Sequence, residues 1–161
     1  MKKLVLMLML LAPMTMMAQK FGKVNTQTIM QALPDVAKAN GELEALQKQK
    51  DNDLKAMQDE LNRKLDEYQK GQSTMNATAK QQKETELQGL NQKIQQAYQD
   101  GQQELQKKSN ELMQPIVTKV RTAIDAVGKA GNYTYIFEEG AAIYAGPNVV
   151  DVTKEVQAKI K

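Results

Sequence analysis

The 161-residue chain contains no cysteine, no histidine and no tryptophan. Each absence removes a class of chemistry. Without cysteine there is no thiolate nucleophile, no disulfide and no sulfur-ligated zinc. Without histidine the usual neutral-pH general base and the commonest metal ligand are gone. The aromatic residues are two Phe and five Tyr, none interleaved with a basic cluster, so stacking on nucleic-acid bases has little to work with. Glu138 and Glu139 are the nearest thing to a catalytic carboxylate pair, but adjacent residues in a turn point apart. The expectation is a non-enzymatic protein with no cofactor and no nucleic-acid partner.

The net charge needs the same scrutiny. Met1-Lys2-Lys3 is a short basic start, Leu4 to Met17 is almost wholly apolar, and Ala18 precedes Gln19. That is the pattern of a secretory signal cleaved near Ala18, although Met16 is larger than usual at the third position before the cut. The apolar run is short for a membrane span and contains Pro13. The full chain has 22 basic and 19 acidic residues; removing Lys2 and Lys3 leaves 20 and 19, a net charge of +1. An exported, soluble protein without a strong field is expected.

What is present is helical periodicity. Phe21 to Asn25 alternates like a brief strand, and Thr26 to Leu33 reads as a short helix closed by Pro34. From Val36 to Lys70 there is no proline and one glycine. The apolar seam there runs Leu43, Leu46, Lys50, Leu54, Met57, Leu61, Leu65, Tyr68, repeating every 11 residues. Such a helix is about 50 Å long at 1.5 Å per residue. Residues 71–78 are turn-formers. The pattern then resumes in three rows: Leu87, Tyr98, Ser109 and Val120; Leu90, Gly101, Leu112 and Ala123; Ile94, Leu105, Ile116 and Val127. Two matching 11-residue seams joined by a turn predict an antiparallel coiled-coil hairpin with little supercoil. Pro115 should bend its base.

The end is different in kind. Gly131-Asn132 reads as a turn, Tyr133 to Phe137 as a strand, Glu138-Glu139-Gly140 as a hairpin turn, and Ala141 to Ala145 as its partner strand. Asp151 should cap a final helix striped by Val152, Val156 and Ile160. The fold class is α+β, mainly α: a small β-containing oligomerisation body (residues 19–35 and 113–161) and a hairpin arm (residues 36–112) with its tip near 71–78. A body of that size buries little and has open strand edges, so association is expected.

The arm seam is thin, interrupted by Lys50, Gly101 and Ser109. Its tip half carries Met57, Leu61, Leu65, Tyr68, Met75, Leu87, Leu90 and Ile94. These form a soft surface suited to unfolded polypeptide, although most of them must also zip the two legs together. Lys70, Lys80 and Lys83 make a basic tip, read chiefly as a solvated turn and secondarily as a weak contact for anionic lipid. A fixed structural spacer of the cell envelope is the alternative use for such a hairpin.

The segments FGKVNTQTIMQALP, QPIVTKVRTAIDAVGKAGNYTYIFEEGAAIYAG and NVVDVTKEVQAKI, in that order around long helical legs, resemble the OmpH/Skp family of periplasmic chaperones. The resemblance implies a jellyfish-like homotrimer with a central strand barrel. It also implies ATP-independent holding of unfolded outer-membrane proteins in the periplasm, within a cavity between the arms. On that basis Val24, Tyr133, Tyr135, Ile136, Phe137, Ala142, Ile143 and Tyr144 would make the oligomer interface.

Overall fold

The fold was read from a computed structural model that describes residues 19–160. The expected signal and its cleavage point near Ala18 fall on residues 1–18, outside the described residues. The elements, in order, are strand β1 (Phe21–Val24), helix α1 (Thr26–Ala32), helix α2 (Pro34–Gly71), helix α3 (Ala77–Ala130), strands β2 (Tyr135–Glu138) and β3 (Val150–Asp151), and helix α4 (Thr153–Lys159). Contacts divide the described residues into two compact units, residues 27–121 and residues 19–26 together with 122–160.

In the first unit, local chemistry sets each helix boundary. Leu33 is extended (φ −83°, ψ 124°) because Pro34 follows it, and Pro34 opens α2 where a missing N–H costs nothing. After Gly71, Thr74 donates to the Gly71 carbonyl from both its N–H (3.0 Å) and its hydroxyl (2.9 Å). Asn76 starts α3: its side-chain oxygen accepts the Ala79 N–H at 2.8 Å. Asn76→Ala is therefore expected to cost about 1 kcal/mol, read as a lower melting midpoint with unchanged helix content. An unaltered midpoint would show that the cap is dispensable. Helix α3 runs unbroken through Pro115.

In the second unit, β1 is the central strand of a three-stranded sheet in the order β2-β1-β3, and both pairings are parallel. Phe21 lies opposite Tyr135, and Val24 opposite Glu138. Alternation along β1 sends Gly22 and Val24 inward and leaves Phe21 and Lys23 partly exposed on the other face. The end of α3 covers the inner face: Ile136 reaches to within 3.5 Å of where a Cβ on Gly128 would sit. Val152 and Val156 are fully buried. The N-cap of α4 is Val152, with no side-chain cap bond, so Asp151, expected to cap this helix, lies one residue before the cap; its carboxylate accepts the Thr153 N–H at 3.0 Å.

One expectation is overturned. The turn after β2 exists, with Gly140 at φ 83° and the Ala141 N–H bonded to the Glu138 carbonyl at 3.0 Å. It does not make a hairpin. Residues 141–145 form no strand and do not pair with β2, and Ile143 in that segment is 108% exposed. β1, over a hundred residues earlier, occupies the neighbouring position instead. On its other side it pairs in parallel with the two-residue β3. Local alternation identifies a strand but cannot name a parallel partner, because a crossover supplies it.

The junction of α3 and β2 is closed by a Schellman motif. The Tyr133 N–H bonds to the Gly128 carbonyl (3.0 Å) and the Asn132 N–H to the Lys129 carbonyl (3.3 Å). Asn132 takes the left-handed position (φ 52°). Gly131 therefore serves another purpose. A Cβ there would lie 2.4 Å from the Tyr133 ring, and one on Gly22 would lie 3.2 Å from the opposite edge of that ring. The Lys20 ammonium sits 4.1 Å from the ring centre. Tyr133 is thus seated between two glycines.

Candidate functional site

Polar ties join α2 to α3 along the hairpin. Lys119 donates to Asp35 at 2.7 Å, Lys108 faces Glu42 at 3.4 Å, and Lys50 meets Glu104 at 2.6 Å. Nearer the turn Lys64 bonds Glu86, and the Tyr68 hydroxyl donates to Glu84 at 2.6 Å. Each pair joins one helix to the other, and they converge on the turn, as an antiparallel register requires. The expected interruption of the seam at Lys50 and Gly101 is a single contact: the Lys50 stem lies over Gly101, with its carbons 3.8 Å from the position of a Cβ there.

These ties set the electrostatics. Hydrogen bonding to Glu86 holds the Lys64 pKa above the ordinary lysine value, and bonding to Glu104 does the same for Lys50. Lys64, then Lys83, hold the Glu86 carboxyl below the usual carboxylate range. In the sheet unit, Lys23 on the central strand donates to Glu139 at 2.6 Å; its pKa is raised and that of Glu139 lowered. Asp151 is lowered by its bonds to Thr153.

The sign of each shift fixes the pH response. Depressed carboxylates add stability at neutral pH that is lost once pH falls below about 4; raised lysines add stability that is lost above about pH 10.4. The melting midpoint is expected to be level between these limits and to fall outside them. A flat profile through pH 3 would contradict the role of these bonds.

The apolar seam is shallow. From Ala39 to Ile116, both of which are buried, only Tyr68 and Gly101 in between are buried. Met57, Leu61, Leu87, Leu90 and Ile94 are half-buried between the legs, Leu65 is 39% exposed, and Met75 lies over Gly71. Tyr68 is buried and hydrogen-bonded. Tyr98, read from the sequence as a seam residue, is 57% exposed, and Ala97 takes the half-buried position instead. Of the tip lysines, Lys70 is exposed, Lys80 is half-buried, and Lys83 is paired with Glu86 at 3.3 Å.

The hairpin has two unlike sides. Glu42 with Lys108 and Lys64 with Glu86 mark one flank of the seam. The residue after each, one step of about 100° around its helix, falls on the other flank: Leu43, Leu65, Leu87 and Ser109. Leu54 and Tyr98 complete those 11-residue rows. Leu43 and Ser109 line one cavity of about 420 Å³, whereas Glu42 and Lys119 line a different one of about 310 Å³. The sequence carries the signal, since a charged residue precedes most of the apolar row, but only the cross-helix ion pairs show that both rows share a side.

In the sheet unit the outer face carries a stack of Phe21, Tyr135 and Phe137, with ring centres 5.7–6.4 Å apart. Tyr135, Phe137, Ala142, Ile143 and Tyr144 are exposed, Tyr133 and Ile136 are half-buried, and Val24 is buried within the single chain. Among the described residues no cluster of carboxylates could hold a metal, and no helix is long and apolar enough to cross a membrane.

A family profile described as outer membrane protein (OmpH-like) matches residues 20–160. The chain belongs to the OmpH-like family. It is 26% identical over 154 residues to the chaperone protein Skp of Yersinia enterocolitica, covering 96% of this chain and 93% of that one. It is also 26% identical over 144 residues to the chaperone protein Skp of Pectobacterium atrosepticum, covering 89% and 87%. A solved structure of an OmpH-like protein from Caulobacter crescentus CB15 matches at a TM-score of 0.77. Its identity is 17%, and the match covers 88% of this chain and 83% of that one. That likeness establishes the OmpH-like fold: long helices with a small strand body.

Proposed function

We propose that this OmpH-like protein is a periplasmic holdase chaperone that binds unfolded outer-membrane proteins without nucleotide and keeps them from aggregating. The observation that carries the reading is the half-wet seam. Across some seventy-five residues of hairpin two helices bury only one aromatic side chain and one glycine between Ala39 and Ile116. The other seam side chains are half-buried or exposed, and the part of their apolar surface that faces water can make many weak contacts with exposed apolar client segments. Relatives named as Skp chaperones support the same reading, as does a chain without histidine or cysteine chemistry.

In this proposal the protein is a trimer, with clients held between the hairpins of three subunits. The stacked Phe21, Tyr135 and Phe137, the exposed Ile143 and Tyr144, and the outer edges of β2 and β3 would be covered by neighbouring copies. The mass of the protein in solution tests this part by itself.

The function is tested by diluting a β-barrel outer-membrane protein out of urea and following light scattering. Suppression by the protein in small molar excess, without ATP, is expected; unchanged scattering would refute the holdase. The cross-helix ion pairs at Lys50, Lys64 and Lys108 favour the second reading, a fixed envelope spacer. A spacer would leave that scattering untouched.

A further inference from the structure

Resting on the holdase reading, we infer that unfolded polypeptide is bound by one lateral side of the hairpin, the side bearing Leu43, Leu54, Leu65, Leu87 and Tyr98, and not by the ionic side. The two sides differ in what they offer. The ionic side is occupied with its own pairs, Glu42 with Lys108 and Lys64 with Glu86. The other side has its two most exposed apolar groups, Leu65 and Tyr98, in water.

The rim of that side identifies its occupant. Four residues beyond each apolar residue, one turn along the same side, stands an amide: Gln47, Gln58 and Gln69 on α2, Asn91 and Gln102 on α3. All five are exposed. Gln47 commits one amide hydrogen to Asp51 and Asn91 one to the Leu87 carbonyl. Carboxamides donate and accept at once and carry no charge. An apolar row edged by such groups matches a chain that exposes apolar side chains together with unpaired backbone N–H and C=O groups, whatever its charge. Folded partners have already satisfied those backbone groups. An anionic lipid surface would call for cations along the rim, and these five positions have none.

The test compares two doubly substituted proteins. Leu65→Gln/Tyr98→Gln removes exposed apolar area from the proposed side. Glu60→Gln/Lys93→Gln alters the ionic side: Lys93 stands 11 residues before Glu104, and Glu60 lies two repeats beyond Lys38, which lines the cavity with Glu42. Client binding is expected to weaken about tenfold in the first protein and to stay at the wild-type level in the second. Helix content by circular dichroism should match wild type in both. Photo-crosslinkers at positions 98 and 93 give a readout independent of stability, and client adducts are expected at 98 only. Equal adducts at both positions, full binding by Leu65→Gln/Tyr98→Gln, or adducts at 98 to a second copy of this chain would overturn the assignment. A wild-type protein that binds no client would instead overturn the holdase reading itself.

Discussion

Gly131→Ala is expected to destabilise the sheet-bearing unit by about 1–3 kcal/mol, the usual cost of overpacking a filled site. The reason is steric and local. The new methyl would lie 2.4 and 2.7 Å from two carbons of the Tyr133 ring, and 3.2 Å from the Val127 carbonyl oxygen. The ring cannot retreat, because its other edge already rests against Gly22. Backbone strain contributes nothing, since the left-handed residue of this turn is Asn132. Gly131→Ala combined with Tyr133→Ala should therefore regain part of the loss, which a conformational requirement for glycine would not allow. Equilibrium unfolding of the three proteins decides between the two causes. If the double variant is as unstable as the sum of the single ones, the ring is not the obstacle.

The opposite outcome is expected for three other glycines. Gly41 and Gly89 have nothing within 4 Å of a would-be Cβ, and at Gly101 the Lys50 stem lies at an ordinary 3.8 Å. All three sit inside long helices, where glycine costs roughly 0.5–1 kcal/mol relative to alanine. The triple variant Gly41→Ala/Gly89→Ala/Gly101→Ala should stabilise the hairpin by about 1.5–3 kcal/mol. If holding clients needs a hairpin that yields locally, that variant will suppress aggregation less well despite its higher melting midpoint. Stabilisation with undiminished suppression would show that pliancy is not used.

Much of this was legible in the sequence because the relevant signals are local. The 11-residue recurrence of Leu43, Leu54 and Leu65 gave the helices, Gly71 to Asn76 the turn, and Pro34 the break between α1 and α2. What escaped was pairing at long range. Nothing in Tyr135 to Glu138 says that its neighbour is Phe21 to Val24 in parallel, and the plausible local partner, Ala141 to Ala145, stays unpaired. In the same way Leu65 and Tyr98 looked alike as seam residues. Which flank each occupies depends on the mate across the hairpin, shown by Lys64 with Glu86 and Lys108 with Glu42. The oligomer contacts foreseen at Tyr135, Phe137, Ile143 and Tyr144 are exposed groups in the single chain; Val24 is already covered.

Amide hydrogen exchange over residues 43–112, with and without an unfolded outer-membrane protein, tests the central claim most directly. A hairpin that keeps its seam half in water should exchange fastest around the turn at residues 71–76, through local opening, and gain protection there and along Leu65 and Tyr98 when client is added. Uniform, strong protection of both legs that client leaves unchanged would contradict it.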